Sequence, residues 1–308
     1  MSNVSTPNVI AILCSDIHLS EKPPTFRSSE DDWFEAMARP LRQLDDLAAQ
    51  HKAPIVCAGD VFDKWDSNPE LINFAIAELP FMYAIAGQHD LPHHQYKDIH
   101  RSAYWTLVCA NAIQNIPYNE PIELTGLTLH GFQWEAELYP CEAADLSFHL
   151  AVVHRYIWNS KENSYTGASE TSHVRNTLDK IAGFHAAVFG DNHKGFLLGK
   201  TKKRGCVLNN GGFMRRRKDE IHYEPSVGLL LDDGTIERYK LDCSQDKYLK
   251  ELEKETQTEE QVEMSRFIAE LQELGSDSLD FKMAVELFCK NNKIHKRIHS
   301  MIMEALQE

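Results

Sequence analysis

A short apolar run that stops abruptly at an acidic residue is the most informative feature of this sequence. The run covers residues 54–58 and consists of small or β-favouring side chains, so it predicts a buried strand. It continues into the segment GDVFD at residues 59–63, which places Asp60 at the strand end, where α/β sheets commonly bind ligands. Asp60 is therefore a candidate metal ligand, although the segment on its own is more typical of a turn after a strand.

Four further apolar runs repeat this pattern. They cover residues 9–13, 81–86, 150–153 and 186–189, and each ends in carboxylate, amide or imidazole side chains. The polar segments that follow them are Ser15-Asp16-Ile17-His18, Gly87-Gln88-His89-Asp90, His154 and Gly190-Asp191-Asn192-His193. Five strands that each end in potential ligands predict one metal cluster at one edge of a sheet.

This series resembles the calcineurin-like metallophosphoesterase superfamily, whose pattern is DxH, GDxxD, GNHD or GNHE, a lone His, and GHxH. The resemblance covers residues 9–193 and extends toward the Gly211-Gly212 loop. It implies a four-layer αββα sandwich that hydrolyses phosphoesters. Two positions depart from the pattern, because Gln88 stands where the family usually has Asn and Asp191 stands where it usually has the first His of GHxH.

The resemblance also implies two divalent metal ions that share Asp60. The ligands of the first ion would be Asp16, His18, Asp60 and His193, and those of the second would be Asp60, Gln88, His154 and Asp191. With three carboxylates in the set, we expect Mn²⁺ or Mg²⁺ rather than zinc. The two departures raise the question of how tightly the second ion is held.

His89 matches the family's noncoordinating histidine. We expect it to donate a proton to the leaving group, with Asp90 behind it to keep it protonated and oriented. The alternative is that His89 only supports the metal ligands. Asp63 is predicted to orient one of those ligands.

Within the superfamily, the segment DVFDKW at residues 60–65 resembles the DNA-repair nuclease branch, the nuclease subunit of SbcCD-type complexes. The protein phosphatases instead have GDxxDRG, whereas position 64 here is Lys. The resemblance implies a DNA exonuclease or endonuclease that works in repair or recombination with a coiled-coil ATPase.

Basic residues are concentrated in two runs on a chain whose formal net charge is −14 at pH 7. We predict that they form a DNA-binding rim beside the metal cluster, with solvated loops as the alternative. The residues are Lys200, Lys202, Lys203 and Arg204 in the first run and Arg215, Arg216, Arg217 and Lys218 in the second.

Hydrophobic content of 43% and charged content of 25% across 308 residues are typical of a soluble globular protein with one or two domains. There is neither an apolar run of about 20 residues nor an N-terminal leader, so we expect a cytoplasmic protein. The seven cysteines are odd in number, widely spaced and without a CxxC pair, which predicts reduced thiols rather than a zinc or redox motif.

The remaining pattern predicts a domain at residues 1–243 and a helical appendage at residues 244–308. We expect the appendage to pack on the domain or to bind a partner, and a homodimer is a further possibility. Predicted helices cover residues 29–48 with an interruption at Pro40, Pro69 to Leu79, and Ala103 to Ala112. Predicted strands outside the five runs cover residues 122–124, 127–129, 206–209, 227–231 and 235–241.

Two other functions remain open at the level of sequence. One is a small-molecule phosphodiesterase or nucleotide hydrolase of the same fold, which would need fewer cations around its pocket. The other is a metal-poor binding module in which Gln88 and Asp191 mark lost activity. The intact DxH and GDxxD motifs and His154 argue against the second alternative.

Overall fold

Two six-stranded sheets form the centre of the computed structural model, which describes residues 7–142, 144–202 and 204–249. The strands are β1 (Val9–Cys14), β2 (Ile55–Cys57), β3 (Met82–Ala84), β4 (Ile113–Asn115), β5 (Ile122–Leu124), β6 (Leu127–Phe132), β7 (Phe148–His154), β8 (Ala186–Gly190), β9 (Phe196–Leu198), β10 (Cys206–Asn209), β11 (Ser226–Leu231) and β12 (Ile236–Lys240). The α-helices in these ranges are α1 (Trp33–His51), α2 (Pro69–Glu78) and α3 (Ala103–Cys109).

The first sheet has the order β12-β11-β1-β2-β3-β4, and the second has the order β5-β6-β7-β8-β10-β9. Strands β1 to β4 are parallel to one another, and so are β6, β7, β8 and β10. Antiparallel strands β11, β12, β5 and β9 complete the edges. The carboxyl ends of the parallel strands are therefore the natural place for a site.

The two sheets pack face to face through small and branched side chains. Leu13 and Val56 of the first sheet meet Leu150 and Val188 of the second in one buried cluster. The helices α1 to α3 cover the other face of the first sheet. Short 3-10 turns and loops, which contribute Val174 among others, cover the other face of the second. The predicted αββα sandwich is confirmed, with 3-10 turns in place of longer helices in its last layer.

Several local predictions needed correction. Helix α1 runs through Pro40 without a break, because its buried face holds the chain in register on the sheet. The helix begins at Trp33 rather than at residue 29, and its N-cap is Asp32, whose side chain accepts a hydrogen bond from the Glu35 N–H. The three-residue strands β4 and β9 were not predicted, since such short strands carry too little alternation to be read.

The last described segment, residues 241–249, runs back from β12 to the beginning of α1. The Leu249 N–H donates to the Phe26 carbonyl at 3.0 Å, and the ring of Tyr248 stacks on Phe26. The predicted appendage thus begins against the body of the domain. The rest of it, residues 250–308, lies outside the described residues, and so does Lys203.

Among the described helices, none is long and apolar enough to cross a membrane.

Candidate metal centre

The polar segments predicted as ligands come together where the carboxyl ends of both sheets meet. Strands β1, β2 and β3 of the first sheet deliver the segments at residues 15–18, 59–63 and 87–90. Strands β7 and β8 of the second sheet deliver His154 and the segment at residues 190–193. The expectation of a single sheet edge was wrong, because apolar runs do not reveal which sheet a strand joins.

Backbone strain is concentrated in these segments. Asp16, His18, Asp60 and Asp191 all have positive φ values, of 54°, 50°, 55° and 85°. Each such conformation costs of the order of 1 kcal/mol for a residue other than glycine, and clusters of them occur at functional sites. Gly87 is needed here, because a Cβ atom at that position would lie 2.1 Å from Oδ1 of Asp60.

One group of donors comprises Asp16, His18 and His193. The two imidazole Nε2 atoms lie 3.0 Å apart. Oδ1 of Asp16 lies 4.0 Å from Nε2 of His18 and 3.9 Å from Nε2 of His193. All three side chains therefore point toward one small volume. This is the set that the resemblance implied for the first ion, together with Asp60.

A second group comprises Asp16, Asp60 and His154. Oδ2 of Asp60 lies 3.3 Å from Nε2 of His154 and 3.7 Å from Nε2 of His18, so it faces both groups. Nδ1 of His154 lies 2.6 Å from the Ala58 carbonyl, to which it donates, so Nε2 is the nitrogen that faces the centre.

These residues fit a pair of divalent cations. Oδ2 of Asp60 is fully buried and has no hydrogen-bond partner among the described residues, although a buried carboxylate oxygen normally has one. Its other oxygen accepts the backbone N–H of His89 at 3.0 Å. A bare carboxylate oxygen between two imidazoles is the donor that a bridging position requires.

Gln88 and Asp191, the two departures from the family pattern, contact each other. The Gln88 amide nitrogen donates to Oδ1 of Asp191 at 2.7 Å, and the amide oxygen lies 2.5 Å from Nε2 of His154. The longer Gln side chain therefore presents its oxygen to the centre while its nitrogen holds the carboxylate. The contact between Gln88 and Asp191 could not be predicted, because the two residues are far apart in the chain.

Burial and charge shift the pKa values of the acidic ligands in opposite directions. Burial, offset in part by His154 and reinforced by Asp60, raises the pKa of Asp16 to about 7. Burial also raises the pKa of Asp191. Burial would raise the pKa of Asp60 as well, but charges on His154 and His89 outweigh it and hold that pKa below its usual range. The site concentrates negative charge that a cation would neutralise.

The imidazoles also differ in their protonation. Burial lowers the pKa of His18 and of His193, which keeps both rings in the neutral form that binds metal. Burial would lower the pKa of His154 too, but the charge of Asp60 raises it to about 10. In the metal-free protein, His154 and Asp60 thus form an ion pair whose proton a metal would displace.

His89 lies beside this centre, with its ring centroid 5.0 Å from that of His18. Its Nδ1 lies 3.0 Å from the Asp63 carbonyl, to which it donates, so its other nitrogen is the one available to a substrate. Burial would lower the pKa of His89, but the charges of Asp60 and Asp63 raise it. A raised pKa keeps the ring protonated, as a proton donor requires.

The Asp90 carboxylate does not bind His89, the residue that we expected it to orient. Its carboxylate accepts the backbone N–H groups of Gly87, Val61 and Phe62, at 3.0, 3.2 and 2.9 Å. It is fully buried and ties the loop after β3 to the loop after β2. The carbonyl of Asp63 takes the orienting position that we expected for Asp90.

Asp63 links the centre to the second basic run. Its Oδ1 lies 3.5 Å from Nδ1 of His18 and accepts a hydrogen bond of 2.7 Å from Arg216. Burial would raise the pKa of Asp63, but the hydrogen bond from His18 and the charge of Arg216 lower it. Asp63 is thus an anion that lies beside Nδ1 of His18.

The two basic runs lie at opposite ends of the second sheet. Strand β10 pairs in parallel with β8, with Cys206 opposite Ala186, so residues 200–204 precede the amino ends of these strands. The candidate ligands follow the carboxyl end of β8, one strand length of roughly 15 Å away. Lys200, Lys202 and Arg204 therefore do not belong to the rim that we predicted, whereas the run at residues 215–218 does reach the centre.

Within the second run, the residues have different contacts. Arg215 donates to the Tyr223 carbonyl and to the Tyr248 hydroxyl, so it holds the last described segment. Arg216 binds Asp63, and Nε of Arg217 lies 3.6 Å from Asp219. Lys218 is exposed at the start of a 3-10 turn.

Sequence reasoning missed two residues that position ligands. The Ser15 hydroxyl donates to Oδ2 of Asp16. Asn192 is fully buried, and its amide donates to the carbonyls of Ile157 and Asn163, which fixes the loop that carries Asp191 and His193. A polar residue between two candidate ligands, as in the segment DNH, is the signal that could have indicated Asn192.

The family model for calcineurin-like phosphoesterases matches residues 11–195. A search of curated proteins finds no match. Among solved structures 116 chains match; one of these, a crystal structure, is 12% identical, with a TM-score of 0.44 and coverage of 77% of this chain and 100% of its own.

Proposed function

The chain belongs to the calcineurin-like phosphoesterase family and is a metal-dependent phosphoester hydrolase, and on this basis we propose that it hydrolyses phosphodiester bonds of DNA. The observation that carries the proposal is the basic run at residues 215–218, which reaches the metal centre through the contact between Arg216 and Asp63. Cations beside the metal centre suit a substrate that has further phosphates on either side of the one that is hydrolysed.

The roles of the ligands follow from the contacts described above. Asp16, His18, Asp60 and His193 would hold one divalent ion, and Asp60, Gln88, His154 and Asp191 would hold the other. When bound, such ions supply positive charge for the phosphate oxygens and lower the pKa of water. Manganese suits the carboxylate-rich set better than zinc does, with Mg²⁺ as the other hard ion that it would accept.

The remaining residues act on the substrate directly or position those that do. His89, held by the Asp63 carbonyl, donates its proton to the leaving oxygen of the scissile bond. Asp63 orients His18, and Arg216 fixes Asp63. Asp90 holds the two loops that carry Asp60 and His89.

A small-molecule phosphodiesterase is the second candidate. It is favoured by one specific observation, namely that the basic run at residues 200–204 lies at the far end of the sheet. A single short basic run would also suffice to bind a nucleotide.

We also propose that residues 244–308 bind a coiled-coil ATPase partner of the kind that the nuclease branch uses. Support comes from the firm attachment of residues 246–249 beside the second basic run, through Tyr248 and Arg215. A partner bound to residues 246–249 would lie beside the second basic run.

The matched pair of basic runs provides the test. The double variant Arg217→Ala/Lys218→Ala should weaken DNA binding and lower the log-log salt slope by about 0.9 per lost contact on duplex. The control, Lys200→Ala/Lys202→Ala, removes the same charge at the opposite end of the second sheet. It should leave the DNA affinity and the salt slope unchanged. Affinity is measured with catalytically blocked protein, and turnover of a small aryl phosphodiester with Mn²⁺ is followed in parallel.

The two substrates separate the candidate functions. Aryl phosphodiester turnover needs only the metal centre and should survive both double variants. Equal DNA affinity and salt slope in the parent and both variants would reject the DNA proposal and favour the small-molecule phosphodiesterase. Absence of all turnover with Mn²⁺ or Mg²⁺ would point to the metal-poor binding module.

A further inference from the structure

A second cluster of imidazole and thiol side chains lies on the outer face of the second sheet, away from the candidate metal centre. His130 projects from β6, His149 from the beginning of β7, and Cys141 lies in the connection between them. One donor atom of each residue lies within 4.8 Å of those of the other two. Both imidazoles are more than nine-tenths buried, and Cys141 is partly exposed.

Strand alternation explains why both rings point to this face. Leu129 and Leu150, the neighbours of His130 and His149 in sequence, face the opposite sheet. The histidines therefore face outward, where the ring of Phe184 packs edge-on against His130 at 4.9 Å.

The hydrogen bonds of His149 fix its tautomer. Its Nε2 lies 2.8 Å from Oδ1 of Asp145 and donates to that carboxylate, so Nδ1 retains its lone pair. This Nδ1 lies 2.9 Å from Nε2 of His130. An imidazole that donates to a carboxylate from one nitrogen and offers the other is the usual arrangement of a metal-binding histidine.

The hydrogen bonds of His130 are incomplete. Its Nδ1 is buried and has no hydrogen-bond partner among the described residues, which leaves an unsatisfied polar atom in the cluster. The separation of the two imidazole nitrogens is close to the 3.0 Å between His18 and His193 in the main centre.

We propose that His130, Cys141 and His149 bind one Zn²⁺ ion. Two imidazoles and a thiolate are a softer set than the carboxylate-rich main centre, so the two sites would take different metals. The cysteine spacing gave no sign of this site, because its ligands come from two strands and a loop rather than from one CxxC motif.

The zinc would fasten the connection between β6 and β7 to the sheet. That connection begins beside the main centre, where the ring of Trp134 lies 6.2 Å from that of His154. It is held further by a hydrogen bond from Arg155 to the Ala136 carbonyl. Binding at Cys141 would therefore order a loop that borders the phosphoesterase site without contributing a group to the reaction.

Cobalt substitution tests the site directly. Metal-free full-length protein, kept reduced by a phosphine, is titrated with Co²⁺, whose bond to a thiolate gives an intense charge-transfer band. We expect a band whose final intensity corresponds to one thiolate-bound Co²⁺ per chain, beside the Co²⁺ taken up by the main centre, and which disappears when excess Zn²⁺ is added. The absence of any thiolate band in the parent protein at excess Co²⁺ would overturn the proposal, and that measurement needs no variant to fold.

Matched variants identify the ligands. Cys141→Ser should abolish the band, whereas Cys243→Ser, which changes another partly buried thiol, should retain it. Asp145→Ala should weaken Co²⁺ binding by about 10- to 100-fold because it removes the hydrogen-bond acceptor of His149, and Glu142→Ala in the same loop should not. A band that persists in Cys141→Ser, or equal affinities in the two acidic-residue variants, would contradict the assignment.

Discussion

Gln88 and Asp191 occupy the two positions at which this chain departs from the usual family pattern, and each is the other's hydrogen-bond partner. A longer amide donor and a shorter carboxylate acceptor replace an Asn and a His. The Gln88 nitrogen holds Asp191, and its oxygen is the atom that lies beside His154. In the proposed second ion site the pair would preserve the number of ligands while making the site harder and more anionic.

Asp191→His should shift the activity optimum from Mn²⁺ toward softer ions such as zinc or iron. The physical reason is the replacement of a charged oxygen ligand by an imidazole, which also deprives the Gln88 amide of its acceptor. Turnover of an aryl phosphodiester across a series of metals measures the shift. The double variant Asp191→His/Gln88→Asn should recover activity that the single variant loses, and an unchanged metal ranking in both would show that this residue does not set selectivity.

His89→Asn should lower the turnover number by about 10² to 10⁴-fold, the usual contribution of a general acid. Metal binding and DNA affinity should stay near the parent values, because the hydrogen bond of the ring goes to the Asp63 carbonyl and not to a predicted metal ligand. Turnover and equilibrium metal analysis together make the test. If metal is lost in proportion to activity, His89 supports the ligands instead.

Asp90→Ala provides the contrast at the neighbouring position. Three buried N–H groups would lose their acceptor, at a cost of about 1–3 kcal/mol for each one left unsatisfied. We expect a lower midpoint of urea unfolding together with weaker metal binding. Unchanged stability would mean that the carboxylate does not hold the two loops.

Apolar runs and their polar ends were enough to predict the strands of the centre, and the family resemblance that they carry implied the αββα arrangement. Each of the strands β1, β2, β3, β7 and β8 falls within or overlaps a predicted run, because buried parallel strands have continuous apolar sequences. Sheet membership could not be predicted, since it depends on partners far along the chain. The role of Asp90 could not be predicted for the same reason. The N–H groups that it accepts belong to two loops that meet only in the folded protein.

The segment at residues 241–249 is attached through a buried ionic network. Arg27 is almost completely buried, and it pairs with Glu30 and with Asp246 at 2.9 Å while its guanidinium lies over the rings of Trp33 and Tyr248. Burial would raise the pKa of Glu30, but the Lys247 amide and the Arg27 guanidinium lower it. This network joins the loop before α1 to the segment that leads into the C-terminal region.

Arg27→Met should lower the free energy of unfolding by about 1.5–3 kcal/mol, because the buried carboxylates of Glu30 and Asp246 lose one of their two cations and keep only Arg39. The control, Arg42→Met, removes an arginine from an ion pair with Glu35 whose side chains are about half exposed, and should change stability by no more than about 1 kcal/mol. Urea unfolding of both variants measures the difference. Equal effects would show that the buried network contributes no more than a surface pair.

The formal net charge of −14 and the location of the metal centre are connected at the scale of the whole molecule. An acidic surface repels a polyanion at long range, so approach of DNA would depend on the few cations near the site. The basic run at residues 215–218 lies there, and the run at residues 200–204 does not. Binding governed by a few local contacts should accordingly show a shallow salt slope.

The centre joins both sheets, so metal binding should stabilise the entire domain. At a free Mn²⁺ concentration about 100 times the dissociation constant, the added free energy of unfolding is about 2.7 kcal/mol. Asp60→Ala removes the oxygen that faces both groups of donors and should abolish the increment. Thermal unfolding of the metal-free and Mn²⁺-loaded proteins measures it.

The stabilisation by Mn²⁺ should also depend on pH. The pKa values of the metal-free protein determine whether it rises or falls as the pH is raised. Burial raises the pKa of Asp16 to about 7, so in the absence of metal this carboxyl destabilises the fold progressively as pH rises from about 4 through 7. Below about pH 7 Mn²⁺ must displace a proton from Asp16, and below about pH 10 it must displace the proton of His154. The stabilisation by Mn²⁺ should therefore be larger near pH 8 than near pH 6, by up to about 1.4 kcal/mol per pH unit for each proton displaced. An increment that is equal at the two pH values would mean that these protons are not exchanged for metal, and would remove Asp16 and His154 from the ligand set.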